Sequence, residues 1–248
     1  MKQKRVAIIT GASRGIGKAI ALKLDKERFA VVLVSRSKQN LRAALKDFSK
    51  GTIAIVADVS KEKEVISMTG KTVKKFGRID VLINNAGAFL FKKINEMTKK
   101  DFNQMVGTNF AGVFYSMREC IKQMKKQPDG GQIINISSLA TKVSFPYPSR
   151  SLYCGTKAAV GEFASSVQTE LMSDKNKIKI ATIYPGLVFT DRIIKRKIRH
   201  PEEVRKYALK PRDIAHVILM IINQDKNSNI TEVVIQPLFN VSRVKQSK

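Results

Sequence analysis

The chain has 248 residues, and 46 lysines and arginines against 20 aspartates and glutamates give it a formal net charge of +26 at pH 7. Hydrophobic residues make up 43% and charged residues 27%, the balance of a folded globule rather than a disordered chain. Cys120 and Cys154 form no CxxC pair, and His200 and His216 are too few and too isolated for a metal site. This pattern excludes a zinc ribbon and a disulfide scaffold.

The N-terminal residues run from a few charges directly into a short apolar segment, without the apolar core or cleavage site of a signal peptide. The apolar run at 217–222 is too short to span a bilayer. No linker, repeat or low-complexity tract marks a domain boundary. We therefore expect a cytoplasmic protein with a single domain over residues 1–248.

Apolar runs rich in β-branched residues alternate with segments of helical periodicity along the whole chain. The runs predict strands at 6–10, 30–35, 52–57, 80–84, 132–137, 179–184 and 232–236. The intervening segments predict helices at 16–27, 41–48, 64–76, 102–126, 156–172 and 213–222. Continuous apolar strands indicate burial on both faces. The prediction is an α/β, Rossmann-type, doubly wound parallel β-sheet of about seven strands, with its ligand beyond the carboxyl ends of the strands.

The turn between the first predicted strand and the first predicted helix carries three glycines in the spacing GxxxGxG. Gly11 permits a sharp turn, Gly15 lacks the Cβ that would block a pyrophosphate, and Gly17 allows the helix to pack closely on the sheet. Free amides and the dipole at a helix N-terminus favour phosphate groups. We therefore predict that this turn binds a dinucleotide through Gly11, Ser13, Arg14, Gly15, Ile16 and Gly17.

The end of the second predicted strand indicates which coenzyme is bound. Ser35 and Arg36 occupy this position, and no carboxylate occurs between residues 29 and 46. NAD enzymes usually place an acid here for the ribose 2′-hydroxyl, whereas an arginine accommodates a 2′-phosphate. Arg14 and Arg36 together therefore predict NADP(H). The alternative is that both are ordinary surface arginines of a very basic chain.

A second motif places Tyr153 and Lys157 four residues apart, on one face of a predicted helix. Upstream lie the TGASRGIG sequence of the glycine turn, the NNAG sequence at 84–87, and a strand that ends at Ser138. This ordered combination resembles the short-chain dehydrogenase/reductase family in its single-domain form, over roughly residues 6–237.

The resemblance implies a catalytic set. Tyr153 would protonate a carbonyl oxygen as hydride arrives, or take the proton from an alcohol in the reverse direction. Because a free phenol has a pKa near ~10, Lys157 would favour the phenolate by its charge and hold the nicotinamide ribose. Ser138 would stabilise the substrate oxygen, with Ser137 as the less favoured alternative, and Asn109 would support a water relay toward the lysine.

The same resemblance extends the coenzyme site beyond the glycine turn. It implies contacts to adenine at the end of the third strand, to the adenosine ribose at the NNAG turn, and to the carboxamide after the sixth strand. The residues concerned, besides Tyr153 and Lys157, are Asp58, Val59, Asn85, Ala86, Gly87, Pro185, Gly186, Val188 and Thr190.

The segment at about 190–210 has the position of a substrate lid, and five of the eight residues from 192 to 199 are basic. Three interpretations stay open: a mobile lid over an apolar substrate, a docking patch for an acidic carrier protein, and a contact with anionic membrane or nucleic acid. Aromatic and aliphatic side chains on loops at the ligand end suggest an apolar or aromatic carbonyl compound; they are Phe89, Leu90, Phe91, Phe145, Tyr147, Leu187 and Phe189.

These observations predict an NADPH-dependent reductase of ketones or aldehydes, which the resemblance implies to be a homodimer or homotetramer. Two alternatives are a reductase of 3-ketoacyl thioesters that docks an acidic carrier protein, and a non-catalytic NADPH-binding regulator. Net charge makes contact with nucleic acid or anionic membrane conceivable without favouring it.

Overall fold

Seven parallel strands form one sheet in the computed structural model, which describes residues 4–142, 148–174, 177–191 and 201–238. The order across the sheet is β3-β2-β1-β4-β5-β6-β7. This confirms the predicted doubly wound fold, and the reversal of strand order between β1 and β4 marks where a ligand cleft opens. The strands are β1 (Val6–Thr10), β2 (Ala30–Ser35), β3 (Ile53–Val56), β4 (Val81–Asn84), β5 (Gly131–Ile136), β6 (Ile178–Pro185) and β7 (Glu232–Ile235).

Helices cover both faces of the sheet, and each face has its own apolar core. Successive residues of β1 illustrate this, because Ile8 is buried in one core and Ile9 in the other. α1, α2 and α8 pack on one face, and α3, α5 and α6 pack on the opposite face. The described helices are α1 (Gly15–Lys26), α2 (Lys38–Leu45), α3 (Glu62–Phe76), α4 (Lys99–Val106), α5 (Gly112–Met124), α6 (Ser151–Ser173), α7 (Pro201–Tyr207) and α8 (Pro211–Ile222).

Burial on both faces holds for the central strands but not for the two edges. In β3 and β7 exposed residues alternate with more buried ones, and Val56 and Val234 are about half exposed. The expectation that every strand is buried on both faces is therefore wrong at the edges. Each edge strand has a neighbour on one side only, and the helices cover it less completely.

The long helix predicted at 102–126 is interrupted. It begins earlier, at α4, where Thr98 and Asp101 form a reciprocal capping box. Residues Gly107–Ala111 then form a π-helical turn, and α5 continues to Met124. A π turn accommodates one extra residue and is frequent at functional sites.

A polar cluster joins the segment after β5 to strands β6 and β7. The Tyr184 hydroxyl donates to Glu232 Oε1 at 2.7 Å, and the Lys142 ammonium donates to Glu232 Oε2 at 2.6 Å. Lys142 also lies 4.4 Å from the centre of the Tyr184 ring. The hydrogen bond and charge of Lys142 lower the pKa of Glu232, and burial raises the pKa of the Tyr184 phenol.

We expect the buried Tyr184 phenol to destabilise the protein at alkaline pH. Unfolded tyrosine loses its proton near pH ~10, whereas folded Tyr184 keeps it, so stability falls as the pH rises beyond that value. Tyr184→Phe removes this loss. The melting temperature of the variant minus that of wild type should therefore increase as the pH rises from about 9 to about 11. A difference between the two proteins that stays constant over this range would contradict the assignment.

The described part of the predicted lid is anchored to the loop that follows β6. Val204 and Ala208 are buried against Leu187 and Phe189. The basic residues 192–199, as well as Phe145 and Tyr147, lie outside the described residues. Among the described residues, no helix combines the length and apolarity needed to cross a membrane.

Candidate active site

The glycine turn lies at the carboxyl end of β1, beside the point where the strand order reverses. Gly11 and Gly15 have φ angles of 66° and 56°, a region that favours glycine. A Cβ on Gly17 would approach the carbonyl oxygen of Gly11 to 2.5 Å, so that only glycine permits this close packing. A Cβ on Gly15 would project toward Thr190, with its methyl carbon 3.6 Å away. The missing side chain leaves a gap between the turn and the loop after β6.

The N-terminus of α1 offers its amide groups to an anion. Arg14 stands at the N-cap position without a side-chain cap, and the first turn of α1 contains no acidic residue. The positive end of the helix dipole is therefore not offset by a carboxylate of this turn. This arrangement suits the phosphate groups predicted from the sequence.

Thr10, which the sequence analysis did not select, ties β1 to the NNAG turn. Its hydroxyl accepts hydrogen bonds from the backbone amides of Asn85 and Ala86, each at 3.0 Å. The Asn85 side chain in turn donates to the Thr10 carbonyl at 2.8 Å. These bonds hold the NNAG turn against the glycine turn. The position of Thr10 at the end of β1, before Gly11, is the signal that would have indicated it.

The residues predicted to recognise the adenosine half lie together after β2 and β3. The Ser13 and Ser35 hydroxyl oxygens are 3.2 Å apart, which links the glycine turn to the end of β2. Arg36 Nη1 lies 3.7 Å from Asp58 Oδ2, and the Arg36 side chain is 61% exposed. The other Asp58 oxygen accepts hydrogen bonds from the amide and hydroxyl of Ser60. The Asp58 carboxylate therefore orients the exposed Arg36 side chain. Such an exposed ion pair contributes little to the stability of the fold.

Asn109 lies in the π-helical turn and is completely buried. Its Oδ1 accepts from the amide of Ala88 at 2.7 Å, and its Nδ2 donates to the Ala88 carbonyl and to Thr156 Oγ1, both at 3.1 Å. The side chain therefore joins the segment after β4 to α6, where Thr156 precedes Lys157. Thr156 is a second residue that the sequence analysis missed, because the contact depends on the tertiary fold.

Lys157 is only 5% exposed, and its ammonium donates to the carbonyl of Ile136 at 2.6 Å. A Cβ on Gly87 would lie 3.7 Å from Lys157 Nζ and 3.6 Å from Asn109 Oδ1. The space above Gly87 is thus bordered by both polar side chains. The family resemblance implies a water relay between these two side chains.

The structure distinguishes the two candidate serines after β5. The Ser137 hydroxyl is buried and donates to the carbonyl of Lys157 at 2.8 Å, which fixes β5 to α6. Ser138 follows in extended backbone as the N-cap of a short 3₁₀ helix, and its Oγ accepts from the Ala140 amide at 3.3 Å. An oxygen used as an acceptor still has its proton to donate. Ser138 therefore fits the predicted role better than Ser137.

Tyr153 lies in the first turn of α6 and is half-buried. Its ring contacts Phe89, with the ring centres 4.4 Å apart and the planes inclined at 59°. Phe89 in turn meets Phe91 edge-on at 4.6 Å. The aromatic residues after the NNAG turn therefore support the tyrosine, a role that the sequence did not indicate.

The loop after β6 forms the opposite wall of the cleft. The Gly186 amide donates to the Ile235 carbonyl at 2.7 Å, and Val188 pairs with Leu209. These contacts fix the turn that begins at Pro185 and direct Thr190 toward Gly15. Val59, also predicted for the coenzyme, is buried against Gly112 at the start of α5.

Comparisons with known proteins agree with this geometry. A family model described as short chain dehydrogenase matches residues 5–201. An uncharacterized oxidoreductase of Staphylococcus aureus (strain MRSA252) is 32% identical over 239 residues, covering 94% of this chain and 97% of that protein.

Two solved structures are similar over nearly their whole length. One is the closed form of serine dehydrogenase complexed with NADP⁺, with a TM-score of 0.84, 26% identity and 94% coverage of both chains. The other is an alcohol dehydrogenase from the archaeon Thermococcus sibiricus complexed with 5-hydroxy-NADP. Its TM-score is 0.82 at 26% identity, with 96% of this chain and 98% of that chain covered.

Proposed function

Because the chain belongs to the short-chain dehydrogenase family, we propose that this oxidoreductase is an NADPH-dependent reductase of ketones or aldehydes. The observation that carries the proposal is the fixed position of Lys157, one turn after Tyr153 on α6. Its ammonium donates a hydrogen bond to the carbonyl of Ile136 at the end of β5, and its backbone carbonyl accepts a hydrogen bond from the Ser137 hydroxyl. These two bonds hold Ser138, Tyr153 and Lys157 at the carboxyl edge of the sheet, beside the glycine turn.

The described residues fit a nicotinamide dinucleotide. A Cβ on Gly15 would lie 3.6 Å from the Thr190 methyl carbon, so its absence leaves room between the turn and the loop after β6, and α1 presents its uncapped N-terminus there. Arg14, Arg36 and Ser35 would hold the 2′-phosphate end, while the turn from Pro185 to Thr190 would hold the carboxamide. Both similar solved structures carry an NADP form, which supports NADP(H). When bound, the reduced coenzyme supplies the hydride for carbonyl reduction.

The chain's own residues handle the proton and the developing negative charge. We infer that the Tyr153 hydroxyl donates its proton to the carbonyl oxygen, while Ser138 donates a hydrogen bond to the same oxygen. The buried Lys157 ammonium stabilises the phenolate that Tyr153 becomes. Proton return to Tyr153 would follow the space above Gly87, between Asn109 and Lys157.

The test is coenzyme oxidation by the purified protein with a panel of diketones, quinones, aromatic aldehydes and ketoacyl thioesters. Consumption of NADPH with formation of an equal amount of alcohol would support the proposal. A response to ketoacyl thioesters alone would favour the carrier-linked alternative. Tight NADPH binding without turnover of any carbonyl compound would instead favour a regulator.

We predict that Arg36→Ala weakens NADPH binding about 10- to 100-fold and leaves NADH binding nearly unchanged, because it removes a charged contact to the 2′-phosphate. Dissociation constants from coenzyme fluorescence titrations measure this selectivity. Arg42→Ala is the matched control, since it removes an equal charge from an exposed position on α2. Equal losses for both coenzymes would show that Arg36 does not recognise the 2′-phosphate.

We also propose a homo-oligomer assembled through α4, α5 and α6. Phe102, Phe114 and Met172 are exposed large apolar residues on these helices. Phe114 forms part of an aromatic group with Tyr115 and Phe163 on the same surface. Light scattering of wild type and Phe114→Glu tests this assembly, and an unchanged mass would refute the participation of Phe114.

A further inference from the structure

Close to Tyr153 lies an arginine that the proposed mechanism does not use. Arg150 stands immediately before α6, three residues ahead of Tyr153, and is half-buried. Its guanidinium carbon lies 4.7 Å from the centre of the Phe91 ring and 5.8 Å from that of Phe89. Arginine stacked on aromatic rings has a defined orientation, unlike the solvated lysines that make up most of a basic surface.

Phe89 connects this cation to the proposed acid. Its ring centre lies 4.4 Å from that of Tyr153 and 5.8 Å from the guanidinium carbon of Arg150. Only one aromatic side chain therefore separates a permanent positive charge from the residue that would protonate the carbonyl oxygen. This places the charge within reach of the remainder of a substrate rather than of its carbonyl group.

The backbone on both sides of this stack is fixed. The Lys92 amide donates to the carbonyl of Ser149 at 3.0 Å, which joins the neighbours of Phe91 and Arg150 directly. Ser149 has a φ angle of 67°, an uncommon conformation for a residue other than glycine. This conformation turns the chain ahead of Arg150, and the hydrogen bond to Lys92 fixes the backbone beside the stack.

The carboxylate of Asp101, on the helix that follows this segment, is already committed to other partners. It accepts from the Lys92 ammonium at 2.8 Å and from the amide and hydroxyl of Thr98. These contacts lower the pKa of Asp101 to about 2, so that it stays paired with Lys92 over the neutral range. Lys92 is thereby neutralised locally, whereas the Arg150 guanidinium lies over the aromatic pair.

We propose that Arg150 recognises a carboxylate on the substrate, which makes this enzyme selective for keto acids with an apolar or aromatic body. The inference rests on the proposed function. Phe89 and Phe91 would contact the apolar part of the substrate, and the guanidinium would form a paired hydrogen bond with its carboxylate. A planar guanidinium suits that geometry better than an ammonium group does.

The experiment compares 4-acetylbenzoate with its uncharged analogue 4-acetylbenzamide. Two readouts are taken: kcat/KM for NADPH oxidation, and calorimetric binding of each compound to the protein saturated with NADP⁺. We expect wild type to prefer the acid, and Arg150→Met to lose about 30-fold in both readouts for the acid and little for the amide. Arg150→Lys should recover only part of the preference. Lys93→Met is the charge-matched control, because Lys93 is exposed on the same segment and outside the stack.

The two readouts separate failure of this inference from failure of the proposed function. Turnover of both compounds without a preference for the acid would overturn the role of Arg150 and leave the reductase intact. Absence of turnover, with binding of the acid that depends on Arg150, would support the anion site and contradict the reductase. Equal losses for acid and amide in Arg150→Met would show that Arg150 only supports Phe89 and Phe91, and circular dichroism would identify a variant that fails to fold.

Discussion

Tyr153→Phe is expected to lower kcat for carbonyl reduction about 1,000-fold, within the usual contribution of a positioned acid. The substitution removes one oxygen and its proton, and it keeps the ring that packs on Phe89. NADPH affinity and melting temperature should therefore change little. Stopped-flow measurement of single-turnover hydride transfer, with a fluorescence titration of NADPH, separates chemistry from binding.

Tyr115→Phe provides a matched control for this variant. Tyr115 lies on α5 and is half-buried, like Tyr153, but it is not among the predicted catalytic residues. The same chemical change there should leave kcat within about twofold, as expected for a residue outside the site. If Tyr153→Phe retained full turnover, another acid would have to protonate the carbonyl oxygen, and the proposed mechanism would be wrong.

Gly161→Ala is expected to destabilise the protein by about 2 kcal/mol, although alanine is the better helix former by about 1 kcal/mol. Gly161 is buried in the middle of α6, and a Cβ there would collide with the Tyr184 hydroxyl. Tyr184 cannot move away easily, since Glu232 holds its hydroxyl and Lys142 lies over its ring. Urea denaturation, monitored by circular dichroism, measures the loss.

The double variant Gly161→Ala/Tyr184→Phe should be more stable than Gly161→Ala alone, because the colliding oxygen is absent. The next ring carbon of residue 184 would lie 3.4 Å from the new methyl group, which is an ordinary contact. Gly70→Ala on α3 serves as the control. No atom lies within 4 Å of a Cβ at that position, so the substitution should stabilise by about 1 kcal/mol. A double variant no better than the single one would mean that the methyl meets another obstacle.

The sequence allowed the sheet and the glycine turn to be predicted because both depend on local patterns. Apolar runs mark the central strands, and the spacing of Gly11, Gly15 and Gly17 reflects backbone requirements of one turn. The edge strands were predicted as strands, but their exposure follows from having a neighbour on one side only. Sequence patterns do not show which strand lies at an edge.

Features of the site that depend on contacts distant in sequence could not be predicted. The π turn around Asn109 leaves the apolar periodicity of the segment almost unchanged, so one continuous helix was the expected result. The sequence favours Ser138 over Ser137 from its place nearer the end of the strand, but it does not show that the Ser137 hydroxyl is bonded to the carbonyl of Lys157, twenty residues away. The stack of Phe89 on Tyr153 likewise forms only when β4 and α6 are brought together.

The order of strands in the sheet places the residues for coenzyme preference and the residues for catalysis in two different parts of the chain. Residues that would set coenzyme preference, such as Arg14 and Arg36, follow β1 and β2, whereas Ser138, Tyr153 and Lys157 follow β5. Thr10, at the end of β1, connects the two groups of residues, because its hydroxyl accepts hydrogen bonds from the NNAG turn that follows β4. Preference for one dinucleotide and choice of substrate can therefore change by separate mutations, each without disturbing the other. A protein built in this way can acquire a new substrate during evolution, or by engineering, while it keeps its source of reducing power.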